Sequence, residues 1–166
     1  MASFQLTSPD FADGDYLGKE YGMSADFGMG CAGGNVSPGL SWTDPPAGTE
    51  TFAVTCHDPD APTLSGFWHW IVVNIPGDAR ALPRGAGSTA PSSMPVGALQ
   101  TIVDTGKPGY AGPCPPEGDH PHRYFFTVYA VGGSLPVDAS TMPAVISFQL
   151  HFNTLAKASI VGLFKR

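Results

Sequence analysis

Glu50-Thr-Phe-Ala-Val-Thr-Cys-His57 is the stretch on which the fold class turns. Phe52, Val54 and Cys56 alternate with Thr51, Ala53 and Thr55, the period of a strand whose side chains point to opposite faces. Two longer runs extend the pattern: Trp68 to Ile75 (WHWIVVNI) and Arg123 to Val131 (RYFFTVYAV). Both are apolar at consecutive positions, which marks strands covered on both faces. Prolines separate them. Pro76, Pro83, Pro91 and Pro95 break a loop over 76–99, and Pro113, Pro115, Pro116 and Pro121 exclude regular structure from Gly109 to Pro121.

Outward from these strands the pattern weakens. Residues 1–40 are rich in Gly, Ser and Asp and read as short extended pieces that must lie over something else. One helix is expected over 143–157. Pro143 suits a first turn, and Val145, Phe148, Phe152 and Leu155 follow helical spacing. Phe148, Phe152 and Leu155 should then face inward, with His151 on the border of that face and without a functional role. Ser159 to Phe164 should form a last strand.

Composition supports a mostly β chain. Its 166 residues suit a single domain over 1–166. Glycine (21) and proline (17) are too frequent for a bundle of long helices. Aromatic residues at 11% and the lack of any repeat argue against disorder. The net charge of −6 and scattered Lys and Arg exclude nucleic-acid binding through phosphate contacts and general attachment to anionic lipid. No apolar run approaches the ~18 residues of a membrane span. Met1 to Asp10 has no charged start followed by an apolar stretch, so no secretory signal is expected. Cys31, Cys56 and Cys114 are odd in number, far apart and without a CxxC pair. The expectation is neither a disulfide framework nor a cysteine–zinc site, in a reducing cytoplasm.

Three polar interruptions of apolar strands stand out. His57-Asp58-Pro59-Asp60-Ala61-Pro62 ends the first strong strand; alone, it reads as a stiff turn with acids serving turn hydrogen bonds. His69 lies between Trp68 and Trp70; alone, it reads as a core histidine with a satisfied hydrogen bond. His120-Pro-His-Arg-Tyr124 enters the third strand; alone, it reads as a polar strand end. Together, each beside a rigid Pro/Gly loop, they would bring two acids, two histidines and a tyrosine between aromatic walls, the composition of a small-molecule pocket.

These residues also carry a resemblance. Asp58-Pro-Asp-Ala-Pro62, Trp68-His69-Trp70 and Gly112-Pro-Cys-Pro-Pro-Glu-Gly118 followed by His122-Arg123-Tyr124 resemble the signature of the phosphatidylethanolamine-binding protein family, also called the Raf kinase inhibitor protein family. Asn35-Val-Ser-Pro-Gly-Leu-Ser-Trp42 resembles a stretch of its bacterial and archaeal branch. Order and spacing match over nearly the whole chain. The resemblance implies a large antiparallel sheet packed on a smaller one, little helix, and a pocket for phosphate-like groups and phospholipid headgroups such as phosphoethanolamine. Carried over residue by residue, it places Asp58, Pro62, His69, His122 and Tyr124 in that pocket. It gives Asp60 a shaping role and makes Gly112, Pro113, Cys114, Pro115 and Pro116 the rim. It also implies a cis peptide in the DPDAP turn, at Ala61–Pro62. Eukaryotic members inhibit kinases by protein contact. This chain lacks their longer insert between the DPDAP turn and the strand histidine, so a kinase partner is the least secure transfer.

Two aspartates in an anion pocket need compensation. An aspartate can orient a histidine whose other N–H donates to the anion, a histidine can be protonated, or the ligand can be zwitterionic. A rival reading uses His120, His122, His69 and Asp58 as metal ligands on a β scaffold, as in cupins, although the glutamate that usually follows the HxH pair is missing. A third is a pure protein-interaction module. Catalysis is not expected: there is no GxSxG elbow, and Cys56 and His57 point to opposite faces of one strand. No cofactor is implied, and the sequence fits a monomer or a homodimer.

Overall fold

The computed structural model describes residues 3–89 and 93–166. Pro91 of the 76–99 loop and the first two residues of the Met1–Asp10 stretch lie outside them. Within them the elements are β1 (Gln5–Thr7), β2 (Leu40–Thr43), β3 (Thr51–Asp58), β4 (Phe67–Pro76), β5 (Ala81–Leu82), β6 (Leu99–Gln100), β7 (His122–Val131), α1 (Pro143–Asn153) and β8 (Thr154–Phe164). Two short turns of 3-10 helix, Lys19–Tyr21 and Ala25–Phe27, interrupt the first forty residues.

The three apolar runs become neighbouring central strands. The larger sheet has the order β6-β4-β3-β7-β8 and the smaller one β1-β2-β5, with antiparallel pairing throughout. The alternation in β3 sends Phe52, Val54 and Cys56 into the space between the sheets. There they meet Trp70, Val72, Phe126, Val128 and Trp42. Ala53, Ile71, Val73 and Val131 point the other way and pack under Ile146 and Leu150 of α1, with Leu135 and Val103. Both faces of the larger sheet are therefore covered, which is why β4 and β7 lack the polar alternation of a strand exposed on one side.

Four expectations need correction. The helix ends at Asn153, and β8 begins at once, at Thr154, rather than at Ser159. The inward residues of α1 are Ile146 and Leu150; Phe148, Phe152 and Leu155 are 64%, 69% and 50% exposed. Two sets of apolar residues at helical spacing compete on this segment, and the short one facing Ile71 and Val73 sets the phase. Cys31 and Cys114, 83 residues apart, form a disulfide, leaving Cys56 as the buried free thiol. The inference of a reducing compartment from unpaired cysteines loses its ground. Finally, the peptide bonds preceding Pro59 and Pro62 are trans, so the turn has no cis bond at Ala61–Pro62.

Candidate functional site

At one end of the larger sheet, β3 finishes and its two neighbours, β4 and β7, begin on either side of it. A cavity of about 190 Å³ opens there, lined by Asp58, Ala61, Pro62, Thr63, Phe67, His69, His122 and Tyr124 from the strands and their turns. Met29 and the segment Cys114–Pro116 close the opposite wall. Two wider clefts, of about 350 and 600 Å³, lie between α1 and the sheet and beside Asp26, Asp104 and Lys107. Their acids, lysines and histidine are exposed or half-exposed. Among the described residues, the buried acids and imidazoles are Asp58, His69 and His122, and all three line the small cavity. Burying ionisable groups is costly unless they are paired or hydrogen-bonded, so their convergence singles out this place.

Each side chain arrives for a local reason. Asp58 is the last residue of β3, and its Oδ1 accepts the N–H of Asp60, which stiffens the turn. His69 gets there through a bulge. Cys56 pairs with Trp70 and His57 with Trp68, so His69 is an extra residue in β4 without an opposite number on β3. The bulge lets His69 and Trp70, consecutive in sequence, both turn from the face that Trp68 occupies. Such irregularities commonly re-aim a side chain near a site. Its ring lies 4.8 Å from that of Phe67 and edge-on to Tyr124 at 5.2 Å, centroid to centroid. His122 opens β7, and regular alternation puts Tyr124 on the same face.

The two histidines are held differently. His69 Nδ1 lies 2.7 Å from the Ala111 carbonyl oxygen, an acceptor only, so Nδ1 carries the proton and Nε2 presents a lone pair. Burial lowers the pKa of His69 to about 4, against the pull of the Ala111 carbonyl and the Asp58 charge. His122 faces a carboxylate at each nitrogen: Asp58 Oδ2 at 2.8 Å from Nδ1 and Asp119 Oδ2 at 3.1 Å from Nε2. Burial would lower its pKa, but hydrogen bonding to these two acids outweighs it and the pKa is raised. Desolvation, reinforced by the Asp58 charge, also raises the Tyr124 phenol, which stays neutral.

Some of the other expected site residues stand behind the cavity wall. Asp60 does not line it; its carboxylate holds the Arg123 guanidinium at 2.9 and 3.0 Å and accepts the Arg123 backbone N–H. That hydrogen bonding keeps Asp60 ionised, its pKa lowered, and fastens the DPDAP turn to β7. Gly112 and Pro113 lie one layer back. The Gly112 N–H donates to Asn35 Oδ1, and a Cβ at Gly112 would collide with the Tyr21 carbonyl oxygen. The Pro113 carbonyl accepts the Met23 N–H. Pro62 and Pro115 do line the cavity. His120 does not: it is exposed, with Nδ1 2.9 Å from the Pro121 oxygen. No group of three His, Cys, Asp or Glu among the described residues is arranged to hold a metal ion. The sequence reading missed Met29, which comes from the glycine-rich 28–34 loop, and Asp119, three residues before His122.

The sequence profile described as phosphatidylethanolamine-binding protein matches residues 7–165. The chain belongs to this family. Among its relatives, the UPF0098 protein YbhB of Escherichia coli is 50% identical over 161 residues, covering 96% of this chain and 99% of YbhB. The UPF0098 protein YbcL of the same organism is 44% identical over 165 residues, covering 99% of this chain and 88% of YbcL. The crystal structure of YbcL, described as a new member of the mammalian PEBP family, superposes with a TM-score of 0.95 over 99% of both chains. The PEBP fold implied by the signature residues is therefore the fold of this chain, and its cavity lies where those residues converge. No helix among the described residues is long and apolar enough to cross a membrane.

Proposed function

We propose that this PEBP-family chain binds a small phosphate-bearing or zwitterionic ligand, of the phosphoethanolamine headgroup type, in the Asp58–His69–His122–Tyr124 cavity. The carrying observation is the buried Asp58–His122 pair, both side chains at most 3% exposed, at the wall of a cavity of about 190 Å³. At about 30 Å³ per water, that space takes roughly six waters, the scale of a headgroup rather than a lipid. Its chemistry is two-sided. The Asp58 carboxylate and the His69 Nε2 lone pair accept hydrogen bonds, which suits an ammonium group. The His122 imidazolium, favoured by two carboxylates, suits an anionic oxygen.

The reading is binding without catalysis. Cys56, the free thiol, lies in the core with its pKa raised well above the ordinary value by burial, and thiols in that state are inert. Kinase control through the rim rests on the resemblance alone and forms no part of the reading. The Cys31–Cys114 bond favours an oxidising compartment over the cytoplasm expected from the cysteine count.

Calorimetric titration with phosphoethanolamine, inorganic phosphate and ethanolamine tests it. Phosphoethanolamine should bind the parent, and binding should be lost in His122→Ala. No heat with any of the three, or equal binding by the variant, would refute the cavity as the site.

A further inference from the structure

Both nitrogens of His122 are already engaged, so the residue expected to hold an anion has no free N–H to offer. His69 cannot take over that task, because its Nδ1 proton is committed to the Ala111 carbonyl and its Nε2 is an acceptor. The two carboxylates on His122 are unequal. Asp58 is fixed: its side chain is 3% exposed and its second oxygen accepts the Asp60 N–H. Asp119 is 43% exposed and sits on an outer turn, with its N–H 3.3 Å from the Pro116 oxygen and Gly118 before it at φ 84°. Rotation of the Asp119 side chain returns its carboxylate to water without moving the strand.

We propose that Asp119 is an internal, displaceable occupant of His122, and that an incoming anionic oxygen takes its place on Nε2. The inference rests on the cavity being the binding site and adds how that site selects its ligand. The exchange conserves the hydrogen bond on Nε2 and rehydrates Asp119. A ligand must therefore out-compete a tethered carboxylate. A dianionic phosphate does so through its higher charge, a monocarboxylate matches Asp119 without exceeding it, and a bare ammonium does not compete for Nε2 at all. Asp119 is thus a specificity-determining residue that excludes simple carboxylates. The charged groups around His122 are Asp58, Asp119 and Asp60, with the His120 ring 5.5 Å away.

Asp119→Ala is the decisive variant, with inorganic phosphate and acetate as probes. Phosphate should bind about tenfold more tightly than to the parent, as expected for freeing one charge-assisted hydrogen bond. Acetate, weak or silent with the parent, should gain at least as much. Asp119→Asn keeps an acceptor without the charge and should gain less. In nitrogen-15 imidazole spectra of the parent, phosphate should shift the His122 Nε2 resonance while leaving Nδ1, on Asp58, nearly unchanged. A structural role for Asp119 would produce none of these gains. If the parent binds phosphate but Asp119→Ala binds it equally or more weakly, the displacement idea is wrong and the cavity reading survives. If phosphate binds neither protein, the displacement idea is wrong and the cavity reading stands or falls with phosphoethanolamine; if phosphate binds His122→Ala as well as the parent, the cavity reading fails and takes this one with it.

Discussion

His69 and His122 share one cavity, one aspartate neighbour and nearly the same burial, yet their proton affinities move in opposite directions. Burial acts on both in the same sense, disfavouring the cation. The difference lies in what each ring touches. The neutral carbonyl on His69 stabilises its charge too little to offset desolvation, whereas two carboxylates on His122 stabilise the imidazolium more than desolvation penalises it. Near-equal surface exposure does not give the two rings the same charge; depth below the surface and the chemistry at the two nitrogens act together. Adjacent rings can thus present an acceptor and a cation at the same pH, which is what a dipolar ligand requires.

The sharpest way to break this contrast is to remove its source. Asp58→Asn should cost about 3–5 kcal/mol of stability, the range for breaking a buried ion pair, read from the urea midpoint at neutral pH. It should also bring the His122 pKa down towards that of His69, since burial then meets less opposition.

The next effect concerns pH. A histidine at about 4 when folded and about 6.5 when unfolded contributes stability that is complete above pH 6.5 and lost as pH falls towards 4. The full span is about 3 kcal/mol. His122 works in reverse: its raised pKa contributes stability below pH 6.5 that disappears as pH rises through the folded value. Urea unfolding at pH 7.5 and 4.5 should show His69→Phe losing less stability on acidification than the parent. An equal loss in both would mean that His69 is not held neutral.

The smallest effect should come from the acid that touches neither ring. Asp60→Ala removes the Arg123 contact, but Arg123 is half-exposed, so the cost should be at most ~1 kcal/mol. The His122 titration followed by NMR should hardly move. A large shift would mean that the turn, rather than Asp58 and Asp119, governs the imidazole.

The sequence displayed some of this plainly and hid the rest for physical reasons. The central strands were legible because a sheet covered on both faces leaves long apolar runs. The smaller sheet was not: β1, β2 and β5 are three, four and two residues long, too short to show a period. In α1 the periodicity was real but ambiguous in phase, since Val145, Phe148 and Phe152 satisfy helical spacing as well as the buried Ile146 and Leu150. Asp58, His122 and Tyr124 could be placed together because they end or begin neighbouring strands in regular register. His69, placed in the pocket by the convergence of motifs and by the resemblance, reaches it through a bulge, a one-residue register slip that the strand pattern itself does not mark. Asp119 was invisible because its partner is set by the side-chain reach of an irregular, proline-flanked segment. The Cys31–Cys114 pairing depends on two loops meeting across the cavity wall, which no spacing encodes.

That pairing divides the polypeptide topologically. Residues 31 to 114 form a closed covalent ring, while the stretch from Pro115 onward hangs from it as an open tail. Asp58 and His69 belong to the ring; His122, Tyr124 and Asp119 belong to the tail. Closing a loop of this size removes about 4–5 kcal/mol of disorder from the unfolded chain on the chain-entropy account, but that restraint stops short of β7. The cavity therefore exists only once the tail has docked against the ring. Covalent closure also ties the Met29 side of the wall to the Cys114–Pro116 side, so these two loops cannot part while the bond is intact.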